Sequence, residues 1–172
     1  AADIVTGVKF SNAGQICISP NRVFVAEAVR DAFTKKVLER AKAAKVGFDK
    51  DTDITTGPVI DGRAWARLKG LVDDAVSEGA TLLAGGDRPV GLNAGHFLAP
   101  TVLTDVAETM DVYREETFGP IVSIIGFDSK SDLLRMANDC EEGGLTAYVF
   151  TRDLARAERY AERLRYGEIQ IN

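Results

Sequence analysis

The feature that most restricts the folds open to this chain is an alternation of two periods. Segments with apolar residues three and four apart, which form one stripe on a helix, are separated by short β-branched and aromatic runs. Helical spacing occurs over residues 28–45 (Val29, Phe33, Val37, Leu38, Ala41), 61–78 (Trp65, Leu68, Val72, Ala75), 131–140 (Leu133, Leu134, Ala137) and 153–164 (Leu154, Ala157, Ala161, Leu164). Asp61 and Asp153 stand where an N-cap belongs, and Gly79 stands just past the second helix. The runs lie at 22–25, 81–84, 121–127, 146–150 and 168–171, bounded by Gly, Pro, Asn or Asp. Several alternate so little that they read as strands covered on both faces. This order predicts βαβ units and an α/β fold, a three-layer α/β/α domain around a mostly parallel sheet. Residues 85–104 are turn-rich, lead into an extended segment, and read as an excursion from the alternating core.

Composition narrows the function classes. The 172 residues make one ordinary domain, without repeats or a low-complexity linker. Twenty-six acidic against 21 basic side chains give a net charge of -5, which argues against non-specific nucleic-acid binding. Two cysteines are too few for a disulfide framework and suit a reducing cytoplasm, and one histidine excludes a metal site built on two. No apolar run approaches the length of a membrane span, and the N-terminal AADIVTGVKF is not a signal peptide. The chain opens without Met and stops at GEIQIN in mid-strand, so the expectation is a domain cut from something longer.

Two constellations can carry chemistry. Cys17 follows Asn12-Ala13-Gly14-Gln15, small and amide-rich residues suited to a tight loop that displays a side chain and its N–H donors. A free thiol with a pKa near ~8.5 is only slightly ionised at neutral pH, so a nucleophilic cysteine needs a base or an electropositive setting. A loop amide beside it can hold the oxyanion formed on attack at a carbonyl. By composition alone Cys17 reads more readily as one more buried small hydrophobe. Two other residues bear on its chemistry. His96 is the base a Cys-His hydrolase would need, but it reads more readily as a structural or surface residue; Cys140, at a helix end, reads as packing. The second constellation, REETFGPIVSI from Arg114 to Ile124, sets two acids and an aromatic at a strand entrance. Glu115 or Glu116 could accept bonds from a sugar diol beside the flat face of Phe118; the competing reading is a solvated acidic turn with Phe118 in the core.

Taken in order, FSNAGQIC, NRVFV, TTGPVID, EETFGPIVSI, GLTAYVFTRD and GEIQIN closely resemble the catalytic domain of the aldehyde dehydrogenase superfamily, over essentially all 172 residues. The texture is nearest the succinate-semialdehyde and lactaldehyde branches. The resemblance implies that Cys17 is the nucleophile, attacking an aldehyde and passing through a thiohemiacetal and a thioester. It implies that Asn12 positions the nucleophile loop, that Glu116 grips the nicotinamide ribose, that Phe118 lies beside the nicotinamide and that Arg67 sits near the cofactor ribose. The cofactor is then NAD or NADP, the substrate a small aldehyde, and the full-length enzyme a homo-oligomer, dimer or tetramer. Departures from the family pattern are Ala64 where many members have Gln, Ser11 where succinate-semialdehyde enzymes carry an Arg, and Ser19 where they often carry a second Cys. No Glu-Leu-Gly-Gly type motif, which holds the family's general base, precedes Cys17, and the dinucleotide-binding domain is absent from these residues. The isolated chain is therefore expected to be inactive. The alternative of another class is a non-catalytic α/β assembly module with a vestigial Cys17.

Overall fold

Helices and strands fall close to where the two periods place them. The computed structural model describes residues 1–48, 53–129, 131–140 and 144–172, which divide into two compact units, Ala2–Gly126 and Phe127–Asn172. The first unit holds four helices, α1 (Ala2–Phe10), α2 (Glu27–Ala43), α3 (Gly62–Ser77) and α4 (Asp111–Arg114). Its strands are β1 (Arg22–Ala26), β2 (Thr81–Ala84), β3 (Thr101–Thr104) and β4 (Ile121–Phe127), in the sheet order β1-β4-β3-β2. β3 and β4 run parallel from Thr101 opposite Ile121 to Leu103 opposite Ser123, whereas β2 pairs antiparallel with β3 through a bulge between Leu82 and Ala84. In the second unit α5 (Leu133–Asn138) and α6 (Leu154–Ala161) accompany a parallel pair, β5 (Gly144–Val149) and β6 (Tyr166–Ile171). The fold is α/β, with a mixed four-stranded sheet in which β3–β4 is parallel and β2–β3 antiparallel, and a separate parallel pair β5–β6.

Local chemistry explains the boundaries. The Asp61 side chain accepts from the Ala64 amide at 2.8 Å, and Asp153 from Arg156 at 3.0 Å, so both expected caps are made. Asp132 does the same for α5 through Arg135. α3 ends where Gly79 takes a positive φ of 111°, closing the helix with a bond to the Val76 carbonyl. Its buried stripe is Leu68, Leu71, Val72 and Ala75: three of the four residues the spacing predicts, with Leu71 added, while Trp65 is only half-buried and donates its indole N–H to the Phe97 carbonyl. Each Leu or Val so buried contributes roughly 1.5–3 kcal/mol of hydrophobic stabilisation.

Three expectations are corrected. Covering on both faces holds for β3 and the first five residues of β4, while β1 alternates and β2 and β6 are largely exposed. β1 and β2 lie at the two edges of their sheet, where side chains meet less cover. Residues 101–104 are no excursion: they form β3, an inner strand with all four residues buried, too short at four residues to display a period. The chain before the nucleophile loop, where no regular element was expected, forms α1 and packs on α2. Among the described residues no helix is long and apolar enough to cross a membrane.

Candidate active site

α1 delivers the chain into residues 11–14, and there the backbone does something costly. Asn12, Ala13 and Gly14 take φ of 48°, 53° and 70°, three consecutive left-handed residues. Asn tolerates this conformation; Ala at such a φ costs roughly 1–2 kcal/mol. Hydrogen bonds hold the turn in place: the Asn12 side chain donates to the Gln15 carbonyl, and the Gln15 amide and side chain both donate to the Asn12 carbonyl, at 3.0–3.1 Å. Gln15 then staples the loop outward, donating to the Pro58 carbonyl and accepting from the Ile60 amide at 2.8 Å. Both polar ends of one side chain are thus spent on loop geometry. The outcome is that Cys17 is exposed, contrary to the composition-based reading of it as buried. Among the described residues its amide N–H meets no acceptor, which leaves a backbone donor beside the sulfur.

The second motif forms the turn that leads into β4. Exposure alternates along it: Glu116 and Phe118 face solvent, while Thr117 and Gly119 are buried. Phe118 adopts φ 45° and remains 42% exposed, so the backbone is strained to show an aromatic ring to solvent, opposite to a core role. Among the described residues the Glu116 carboxylate receives no hydrogen bond. A flat apolar face next to a carboxylate with open acceptors fits a nicotinamide riboside, whose ring stacks and whose diol donates.

The two motifs, about a hundred positions apart, are in contact. A Cβ built on Gly14 would lie 2.6 Å from the Gly119 carbonyl carbon and 2.8 Å from the Lys9 carbonyl oxygen, so only glycine permits this approach. Gly119 is pressed in turn by Leu68 of α3, whose Cδ1 would sit 2.6 Å from a Cβ there. Asn21 bridges the loops with both ends of its amide, donating to the Glu115 carbonyl at 2.6 Å and accepting from the Thr117 N–H at 2.8 Å. β1 and β4 are sheet neighbours and begin just after these loops, so the strand order itself brings the entrances together. Lys9, on the last turn of α1, reaches the same turn: Nζ donates to Thr117 Oγ1 at 2.9 Å.

The remaining candidates separate cleanly. Arg67 comes from α3, and its guanidinium donates to the Glu116 and Thr117 carbonyls and pairs with Glu115 at 3.7 Å. It is spent on shaping the turn. Asn12 is exposed and holds the loop through its side chain. His96 is exposed, sits against Gly62, and makes no hydrogen bond to Cys17 among the described residues, so no Cys-His pair is assembled. Cys140 is half-buried, with Tyr166 Oη 3.5 Å from its sulfur. Asn21, Lys9 and Gln15 were not singled out from the sequence; only their position beside the two motifs could have drawn notice, and their partners are distant in the chain. A cleft of about 630 Å3 in the second unit, between Asp132, Arg135, Asn138, Arg163 and Arg165, contains none of these groups.

The model of the aldehyde dehydrogenase family matches residues 1–172. Glutarate-semialdehyde dehydrogenase of Pseudomonas putida is 42% identical over 164 residues, 95% of this chain and 33% of that protein. The crystal structure of succinate-semialdehyde dehydrogenase from Burkholderia pseudomallei superposes with a TM-score of 0.91 at 41% identity, over 99% of this chain and 35% of that one. That of Mycobacterium tuberculosis aldehyde dehydrogenase complexed with NAD+ gives 0.93 at 33% identity, again over 99% and 35%. The chain spans about a third of the length of the curated relatives it matches.

Proposed function

The chain belongs to the aldehyde dehydrogenase family, and from that membership we propose that its 172 residues are the Cys-nucleophile domain of an NAD(P)-dependent aldehyde dehydrogenase. The observation that carries this reading is the contact of Gly14 with Gly119, which sets the exposed Cys17 loop against the turn bearing Glu116 and Phe118. Glu116 would accept from the ribose hydroxyls and Phe118 would lie along the nicotinamide, while Arg67 and Asn21 fix the turn that carries them. The Arg67 contacts to the Glu116 and Thr117 carbonyls put it beside the ribose site implied by the resemblance, as a support of the turn.

The steps of this chain's own residues follow. Cys17 Sγ attacks the aldehyde carbon; a C–S bond forms and the carbonyl π electrons move onto oxygen. The Cys17 N–H donates to that oxyanion, the kind of donor whose loss typically costs ~10²–10³ in rate. When bound, NAD(P) would supply the hydride acceptor there, and the thiohemiacetal on Cys17 would become a thioester as it gives up its hydride. Water then cleaves the C–S bond, releasing the carboxylic acid and returning the thiol. No Glu-Leu-Gly-Gly glutamate lies within these residues, so the base that activates water, the second oxyanion donor and the dinucleotide-binding domain are assigned to sequence outside them. The 172 residues alone are accordingly inactive.

The semialdehyde names of the relatives support a substrate of that class, an aldehyde with a carboxylate at its far end. Ser11, exposed beside Asn12, brings no charge to such a carboxylate, so a different residue must meet it. The test is aldehyde-dependent NAD(P)H formation by the full-length protein, lost in Cys17→Ser. Turnover by the isolated 172 residues above their own Cys17→Ser control would overturn the division of labour. In iodoacetamide labelling Cys17 is expected to react well ahead of Cys140; equally slow reaction of both would favour the vestigial module.

A further inference from the structure

Lys9 is used by none of the steps above, and its setting is unusual. It lies on the last turn of α1 and is 1% exposed. An ammonium carries three donors, yet among the described residues it makes one hydrogen bond, to Thr117 Oγ1. Burial drives its pKa down from 10.5 to about 7, against a pull in the other direction from the Glu116 carboxylate. Glu116 is the charged group whose field reaches it. A buried charge with incomplete partners is worse for stability than a well-packed apolar side chain of the same length. Stability therefore gives no reason for lysine at this position.

The location gives one. The Lys9 carbonyl abuts Gly14 in the nucleophile loop, and the Lys9 ammonium grips the residue between Glu116 and Phe118. One residue thus touches both motifs, through its backbone on one side and its side chain on the other. We propose that Lys9 is a positioning residue: its buried side-chain amine, tied to Thr117 Oγ1 between Glu116 and Phe118, holds the Glu116–Phe118 turn against the nucleophile loop in the geometry that grips the coenzyme ribose. This rests on the coenzyme reading of Glu116 given above.

The experiment uses the full-length protein with Lys9→Met, Thr117→Val and the double variant. Three quantities are read: amide hydrogen exchange of residues 115–119, the thermal midpoint, and the dissociation constants of NAD+ and NADP+ by calorimetry. Lys9→Met is expected to speed exchange in the turn and to weaken the preferred coenzyme about 10-fold, the loss of one charge-assisted contact. The double variant leaves no unpaired group and is expected to regain the thermal midpoint without regaining coenzyme affinity. Recovery of both together would make Lys9 a structural filler, and unchanged exchange with affinity within about 2-fold in Lys9→Met would equally overturn the proposal. Glu116→Gln separates the two readings: if it leaves affinity intact, the coenzyme assignment fails, while the exchange data still report whether Lys9 holds the turn.

Discussion

Replacing Gly14 by alanine tests the contact on which the site depends. The added Cβ meets two backbone groups, the Gly119 carbonyl carbon at 2.6 Å and the Lys9 carbonyl oxygen at 2.8 Å, where ordinary contact begins at 3.4 Å. No side chain can rotate out of the way, so the Cys17 loop and the Glu116 turn must move apart by most of an ångström. The left-handed φ of 70° adds its own cost for an L-residue. Overpacking of this kind costs about 1–3 kcal/mol and the left-handed conformation about 1–2, so a loss of about 2–5 kcal/mol is expected. Urea unfolding of the full-length protein reads the first consequence as a lowered midpoint. Coenzyme KM and kcat read the second, because displacement of about 1 Å between a reacting group and its partner can cost about 10²-fold. Gly14→Ala with an unchanged midpoint and unchanged kcat/KM would refute the claim that this contact sets the site.

Three further outcomes are expected. Phe118→Ala, at a strained and half-exposed position, should alter stability by less than about 1 kcal/mol while raising coenzyme KM several-fold; a large stability loss would mean that the ring belongs to the core. Asn21→Ala removes both bridges to the turn and should cost about 1–3 kcal/mol, with coenzyme KM rising and the aldehyde KM little changed, read by thermal denaturation and steady-state kinetics. The Lys9 setting predicts a pH dependence: between about 7 and 10.5 the unfolded chain holds a proton that the folded chain releases, so stability rises with pH in that window and the cost of the buried charge is fully present below about 7. The slope is at most about 1.4 kcal/mol per pH unit, and it should vanish in Lys9→Met; parallel curves for the two proteins would contradict it.

The sequence by itself determined the helix period of α3 with its Asp61 cap and Gly79 stop, the α/β class, and the two motifs that name the chemistry. These are local properties: periodicity, capping and turn composition act over a few residues and are written in order along the chain. Tertiary structure decided the rest. The strand TVLT gave no hint of its inner place, because four buried residues carry no period and burial comes from neighbours on both sides. Composition alone read Cys17 as a buried small hydrophobe and the motif resemblance read it as the nucleophile; the left-handed run at Asn12–Gly14 and the Gln15 staples leave it exposed. Arg67 was matched to the cofactor by position, and the structure adds its contacts to the carbonyls of the turn. Lys9 and Asn21 carry no local signal, since each acts on a partner about a hundred residues away. Such partners meet only once β1 and β4 lie side by side, and that adjacency belongs to the sheet order, which no short stretch of sequence encodes.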